Sequence, residues 1–591
     1  MKHLNYDIII IGGGHAGIEA ASASCRIGSN TCLVTKSVND LGKLSCNPSV
    51  GGTAKGIIVK EIDALDGIMP KAIDNTGIHF KILNKNKGPA VWGIRAQVDR
   101  LKYKQYIKKI ITNHANLKIE YDTVGELIIQ NKKVIGIKCK NIKIYANSIV
   151  LTSGTFLNSS IYIGEKKYYK NKFNNNMIKQ LRRNEIKMMK FKTGTPPRLY
   201  SKSIDWNKLS KQLGDRMPYL FSGFSRNKLQ KSKTCYFTYT NKNTHKIVLD
   251  NLHKSSIYSG KISAHGPRYC PSIEDKIIKF QDKNRHLIFL EPETINNTIT
   301  YPNGISTSLP IEIQKKILHS IVGLKKVRII KFGYAIEYNI VNPKELNTKL
   351  ESIKIRNLFF AGQINGTTGY EEAAGQGVIA GVNAALNSEN KKVILSREKS
   401  YIGVMISDLT MAGTVEPYRI MTSRAEYRIK MRNDNAFYRL YNTGIKYGIL
   451  SNKRTNEFQL EEKEKIKIKK LIRKDIKIDK NEKIDKYINR LKRKYFYIKN
   501  VEKKFLINMF SENLYQKYKN RLKKEINLLR EGINFSIPTL INFKNIISLS
   551  SEMKKKLNNI KPRSIEEIKR IHGITPSALV AISVYLKFKK I

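Results

Sequence analysis

Three groups of residues in this chain have the types and spacing to do chemistry: a run of glycines, a scattered set of cysteines, and arginines interleaved with tyrosines. The run Gly12-Gly13-Gly14-His15-Ala16-Gly17 fits the pattern GxGxxG. It lies between the β-prone residues 6–11 and a stretch holding Ala20, Ala21 and Ala23, which suits a close-packed helix. In that context Gly12 permits the tight turn, Gly14 lets a pyrophosphate approach the backbone, and Gly17 lets helix pack on strand. The helix N-terminus adds N–H donors and a positive dipole. A glycine turn without a ligand is the simpler reading, and the strand–turn–helix context weighs against it. His15 stands at a variable position and is assigned no catalytic role. After the second strand, 31–35, come Lys36 and Ser37 where an acidic ribose ligand is usual, so adenosine recognition differs in detail.

The cysteines are Cys25, Cys32, Cys46, Cys139, Cys235 and Cys270. They are too few and too scattered for a disulfide scaffold. No CxxC pair exists, which argues against a structural zinc site and a simple dithiol redox motif. Cys25, Cys32 and Cys139 sit in helix or strand patterns and read as small buried hydrophobes, and Cys235 reads as a strand residue. Cys46 lies in a Gly/Ser/Asn/Pro loop, 41–52, and Cys270 lies between Arg268 and Lys276. Both settings are polar and electropositive, as a reactive thiolate needs. Arg419, Arg424 and Arg428 cluster with Tyr418 and Tyr427. Such a mixture can hold phosphates and stack on unpaired bases, or it can form an ion-pair set between domains.

The elements that position these groups follow from patterning. At 591 residues the chain is too long for one core. Its first part reads as α/β, with a further strand at 148–152 ending in Ser153-Gly154-Thr155. A strand–glycine pattern returns at 358–362, followed by a helix over 373–386. Strands that return to one sheet from distant sequence require an insertion between them, roughly 200–345. The late strand, with Gly362-Gln363 at its end, favours FAD over NAD at the first glycine loop. Beyond residue 400 the pattern is helical and basic. Ile468, Leu471, Ile472 and Ile476 fall on one face, as do Tyr515, Tyr518, Leu522, Ile526 and Leu529, with Gly532 as a stop. Ser564-Ile565-Glu566-Glu567 is a capping-box pattern.

Lys and Arg number 108 against 48 Asp and Glu, a net charge of +60. That balance fits a polyanionic partner, although Lys, Asn and Ile are enriched everywhere, as AT-biased codon drift would produce. No apolar run approaches the roughly 18 residues of a membrane helix. The first residues run straight into the glycine loop, leaving no room for a signal segment, so the expected location is the cytoplasm.

Longer strings carry a more specific signal. They are 12–21, Ser45-Cys46-Asn47-Pro48, Gly88-Pro89-Ala90-Val91, Arg95-Ala96-Gln97 with Asp99-Arg100, and Lys192-Thr193-Gly194-Thr195-Pro196-Pro197-Arg198. Further on come 266–276, 301–309, 361–374, 416–419, 423–428 and Gly573-Ile574-Thr575-Pro576. From end to end the chain resembles the MnmG (GidA) family of tRNA-modifying flavoenzymes. Trp92-Gly93 departs from the family's pattern, which often has Arg-Ala there.

The resemblance implies an enzyme that, with the GTPase MnmE, builds an aminomethyl-type substituent on C5 of the wobble uridine of certain tRNAs. FAD, NADH and 5,10-methylene-tetrahydrofolate serve it, and it is similar to a homodimer joined to MnmE chains. C5 of uridine is a poor nucleophile, and a thiolate added at C6 makes it enolate-like. Cys46 and Cys270 match positions the family treats as essential, and their separate roles stay open. Gly12, Gly13, Gly14, His15, Ala16, Gly17, Val124 and Gln363 match its FAD site. Gly266, Pro267, Arg268, Tyr269, Pro271, Ser272, Ile273, Glu274, Asp275 and Lys276 match its NADH stretch. Arg419, Arg424 and Arg428 are the candidate tRNA contacts.

The expected fold is α/β, a Rossmann-like FAD-binding fold with an inserted NADH-binding domain, followed by an all-α C-terminal region. Its expected parts are 1–200 and 346–400 (FAD), 201–345 (NADH), 401–545 (helical, tRNA-facing) and 546–591 (partner GTPase or tRNA contact). Two competing readings are a folate/FAD-dependent tRNA uridine methyltransferase, which lacks so long a helical tail, and a flavin/NADH disulfide reductase, which the missing CxxC disfavours.

Overall fold

The computed structural model describes residues 3–169, 175–215, 218–225, 232–262, 264, 266–267, 271–472, 477–478, 482–518, 520, 537–538, 541–569, 571, 574 and 576–588. Arg268, Tyr269 and Cys270 lie outside the described residues, as do Ile476, Leu522, Ile526, Leu529, Gly532, Gly573 and Thr575.

The N-terminal isoleucine run forms the strand His3–Ile11, buried on both faces at Ile8, Ile9 and Ile10. It pairs in parallel with Thr31–Thr35 on one side and Lys143–Leu151 on the other, placing Ile8 beside Thr31 and Ser148. Leu117–Tyr121 extends the sheet beyond Thr31–Thr35. On the far side an antiparallel arm, Val124–Gln130 with Lys133–Cys139, closes it. The late strand Leu358–Phe360 returns to this sheet, parallel to Lys143–Leu151. Near-continuous apolar strands of this kind suit a parallel sheet covered by helices. The helices His15–Ile27 and Tyr370–Leu386 pack so closely that a Cβ on Gly377 would lie 2.2 Å from the Ala16 carbonyl, and one on Gly381 2.3 Å from that of Ala20.

The stretch expected as an insertion leaves and re-enters through two long paired strands, Met188–Thr195 and Tyr334–Val341. Between them a six-stranded antiparallel sheet runs from Arg198–Tyr200 to Ile329–Lys331, with its own core around Leu199, Ile273, Leu290, Ile317 and Leu324. A three-stranded sheet built on Gly77–Leu83 and Gly93–Val98 stands beside the first core.

Beyond residue 400 the elements are helical among the described residues. Ile468 and Ile472 are buried as expected, but Leu471 is 48% exposed and does not share their face. It is the last residue of the helix Asn452–Leu471. Trp92 explains how this region is attached. Its ring is buried with Ile468, Leu491, Phe505 and Phe510, and its indole N–H donates to the Lys85 carbonyl at 3.0 Å. A large apolar side chain at the family's departing position thus rivets helices to sheet. A last core, from Ile537 to Leu586, joins Ser551–Ile560, Ile565–Lys569 and Pro576–Phe588. Among the described residues no helix is long and apolar enough to cross a membrane.

Candidate dinucleotide and thiol site

The glycine loop leaves its strand with Gly12 at φ +112°, a left-handed conformation that favours glycine. Thr152, just past Lys143–Leu151, ties the turn down, its hydroxyl donating to the Ile11 carbonyl at 2.8 Å. A Cβ on Gly17 would lie 1.8 Å from the Gly12 carbonyl, whereas one on Gly14 would meet nothing within 4 Å. Gly17 therefore serves packing, and Gly14 faces open space. No side chain caps the helix that starts at His15, so its first N–H groups point into that space.

The space is a cavity of about 1510 Å³, lined by Gly12, Gly13, Gly14, His15, Ala16, Val124 and Gln363. Single small-molecule sites run to about 300–1,000 Å³, so a dinucleotide fits with room left for a second reactant. An open glycine turn, an uncapped helix N-terminus and this volume together fit FAD. Thr35 and Lys36 line the cavity where an acidic residue is usual, and the structure brings Asp40 and Asp122 to the same wall. Gln363 donates to the Tyr338 hydroxyl at 3.0 Å, which fixes its amide. Beyond it, Asn365 and Gln376 are buried and bonded to each other at 2.8 Å, holding the turn before Tyr370–Leu386.

His15 is buried, its ring 4.8 Å from that of Tyr370 and 5.8 Å from that of Tyr103. Burial pulls its pKa down to about 4, against the pull of Glu371. A neutral imidazole in an aromatic box is a wall of the cavity.

Cys46 is half-buried on the same cavity. The Tyr370 hydroxyl accepts the N–H of Cys46 at 2.5 Å and of Asn47 at 3.0 Å. Arg198 donates to the Cys46 carbonyl at 2.8 Å, and its guanidinium lies 4.4 Å from the centre of the Tyr301 ring. The Tyr301 hydroxyl is 3.7 Å from Cys46 Sγ. Arg100 and Arg198 both bond Glu293. The two guanidiniums thus hold the backbone of the Cys46 loop, Arg198 at the Cys46 carbonyl and Arg100 at that of Leu44. Burial pushes the thiols of Cys25, Cys32, Cys139 and Cys235 up, and these are inert core residues.

The 266–276 stretch is divided in use. Pro267 lines the cavity, and Gly266 with Ser272 borders a small cleft beside it. Ile273 and Glu274 are fully buried. Glu274 accepts from the Thr307 hydroxyl at 2.9 Å, the Ser308 N–H at 3.1 Å and the Ser255 hydroxyl at 3.4 Å. Asp275 accepts from Tyr258, and Lys276 donates to the Gly304 carbonyl at 2.6 Å. The three arginines differ in setting. Arg419 lines the cavity, Arg424 stacks on Tyr418 and lies 3.5 Å from Asp408, and Arg428 is exposed.

Sequence reading missed a buried triad. Lys55 Nζ bonds Glu371 at 3.0 Å and Glu372 at 2.9 Å. Burial works against its ammonium, but the two carboxylates outweigh it and hold the pKa up. Glu371 also accepts the Gly51 N–H at 2.6 Å, and Glu372 accepts that of Ile420 at 3.3 Å. The first turn of Tyr370–Leu386 thereby clamps the Cys46 loop and the Arg419 segment together. The matched string 361–374 contained these glutamates, but no local spacing links them to Lys55.

Fold and site define a dinucleotide-binding α/β protein with a thiol on the cavity wall and a helical C-terminal region. A family model described as "Glucose inhibited division protein A" matches residues 7–392. A second, "tRNA modifying enzyme MnmG/GidA C-terminal helical bundle", matches residues 525–591. The chain is 43% identical to the tRNA uridine 5-carboxymethylaminomethyl modification enzyme MnmG of Aquifex aeolicus (strain VF5), over 98% of each chain. Two crystal forms of Aquifex aeolicus GidA superpose with TM-scores of 0.83 and 0.82, at 41% and 42% identity, covering 98% of this chain and 98% and 100% of theirs. The chain belongs to the MnmG/GidA family.

Proposed function

We propose that this flavoenzyme builds a carboxymethylaminomethyl (or aminomethyl) group on C5 of the wobble uridine of tRNA. The observation that carries the reading is Cys46, held beside Arg198 on the wall of the cavity that the glycine loop opens. The name of its Aquifex relative supports the reaction class. The cavity takes FAD at Gly12–Gly17, Val124 and Gln363, and the flavin supplies two-electron redox chemistry when bound. NADH is the proposed reductant, held along 266–276, where Gly266 and Pro267 border the cavity. 5,10-Methylene-tetrahydrofolate is the proposed carbon donor, and the GTPase MnmE and a second copy of this chain are proposed partners in the cytoplasm.

The residues act in a definite order. Glycine N–H groups and the helix N-terminus bind pyrophosphate. Tyr370 and Arg198 fix the backbone of the Cys46 loop and so aim its sulfur. Of Cys46 and Cys270, one thiolate adds to C6 of uracil, forming a C–S bond and moving the C5–C6 electron pair toward the O4 carbonyl. C5 would then attack the methylene carbon of the folate donor, breaking its bond to one folate nitrogen, and the incoming amine would displace the other, giving the C5–CH2–N product and tetrahydrofolate. Loss of the C5 proton and elimination of the thiolate restore the double bond, and the second thiol is the proposed carrier of that proton. Mass analysis of tRNA nucleosides made by this protein with an MnmE partner tests the reading. A C5-aminomethyl-type product is expected, lost in Cys46→Ser while the flavin spectrum persists. A methylated T-loop uridine, or full modification by Cys46→Ser, overturns it.

A further inference from the structure

At the mouth of the cavity the charges do not balance. Among the described residues Glu293 is the one carboxylate that both Arg100 and Arg198 reach. Directly across the strand pair from Arg198 stands Lys331, its register partner between Arg198–Tyr200 and Ile329–Lys331. Both side chains line the cavity. Like charges placed opposite each other in an antiparallel pair destabilise it. Lys331 has no ion-pair partner among the described residues, and its ammonium sits 5.5 Å from the centre of the Tyr334 ring. Lys43 adds another cation to this wall, compensated only by an Asp40 contact at 3.7 Å between two solvent-exposed side chains. Burial, then Arg198, Lys43 and Arg100, pull the Lys331 pKa down, and Glu293 pulls the other way without reversing the shift.

The same wall leads to the thiol. Arg198 joins Lys331 on one side to the Cys46 carbonyl and the Tyr301 ring on the other. An anion at Lys331 is therefore fixed relative to Cys46 through paired strands and one guanidinium. Lys331 and its neighbour Ile330 are exposed at the rim, where the backbone of a macromolecule can reach them.

We propose that Lys331 is the phosphodiester-binding residue of the site, taking a non-bridging oxygen of the RNA backbone next to the target uridine so that the base enters toward Cys46. The proposal rests on the tRNA reading above. Its test uses the full chain with FAD, an MnmE partner and a tRNA transcript, comparing Lys331→Ala, Lys331→Arg and Lys331→Glu. Lys331→Ala is expected to raise the KM for tRNA several-fold with little change in kcat. The slope of log K against log salt for an anticodon stem-loop should fall by about 0.7, as for one lost contact to single-stranded phosphate. Lys331→Glu goes further, and Lys331→Arg restores both. An unchanged KM and salt slope in Lys331→Ala overturns the assignment. So does an effect confined to the KM of glycine, which would mark a carboxylate site. Failure of the wild-type protein to modify any tRNA overturns the functional reading itself, an outcome distinct from either of these.

Discussion

The Cys46 loop and the 266–276 stretch are both dense in residues that match the family, yet they use them in opposite directions. Around Cys46 the scaffold comes from outside, from Tyr370, Arg198 and Glu371, and the loop's own side chains are left for the cavity. In 266–276 much of the motif is itself scaffold. Glu274 and Lys276 turn inward to hold the turns at Thr307–Ser308 and Gly304, and Gly266 and Pro267 remain at the edge of the open space. A matched string marks where a family tolerates little change; which of its residues meet a ligand depends on which way the fold turns them.

Substitutions can break this contrast. The largest effect belongs to Gly17→Ala, which sets a methyl 1.8 Å from the Gly12 carbonyl. Helix must part from turn, at a cost of about 3 kcal/mol or more. The protein is expected to purify without flavin absorbance; normal flavin content would show that the glycine turn is not the site. Next is Glu274→Ala, which strands buried donors at Ser255, Thr307 and Ser308. Denaturation should show a loss of about 2–3 kcal/mol, with alkylation of Cys46 unchanged. A stable Glu274→Ala protein with a raised KM for NADH would instead make Glu274 a ligand residue.

A third test is a pH dependence. The folded-state pKa of His15 is depressed to about 4 from 6.5, so the unfolded or open state binds the proton more readily in that window. Its contribution is complete above pH 6.5 and is lost as pH falls toward 4. Flavin release on acidification should follow that interval and flatten in His15→Gln.

What was legible in the sequence is what local backbone demands. Gly12 and Gly17 have no substitute at a positive φ and a 1.8 Å approach, and the β-prone runs at 6–11 and 358–362 have no other place than a buried sheet. The inert cysteines were legible for the same reason, since each sits in a strand or helix pattern. The clamp of Lys55 on Glu371 and Glu372 was not, because it is made only when a late helix docks on an early one. Lys331 was hidden differently. Among 108 lysines and arginines one cation carries no signal until its strand partner proves to be Arg198. Leu471 misled because periodicity assigns a face without knowing where the helix stops. The helical-bundle match at 525–591 also separates this chain from the shorter uridine methyltransferase reading.

The return of Leu358–Phe360 to the first sheet has a consequence for biosynthesis. On the ribosome the glycine motif emerges hundreds of residues before the helix that packs on it through Gly377 and Gly381. Until that helix docks, Tyr370 cannot hold the Cys46 loop, and long-range closure of this kind is slow. A chain terminated before residue 386 would carry the fingerprint without the pocket. Cofactor capture therefore has to wait until the late helix has been made, and only a chain read past it can turn yellow.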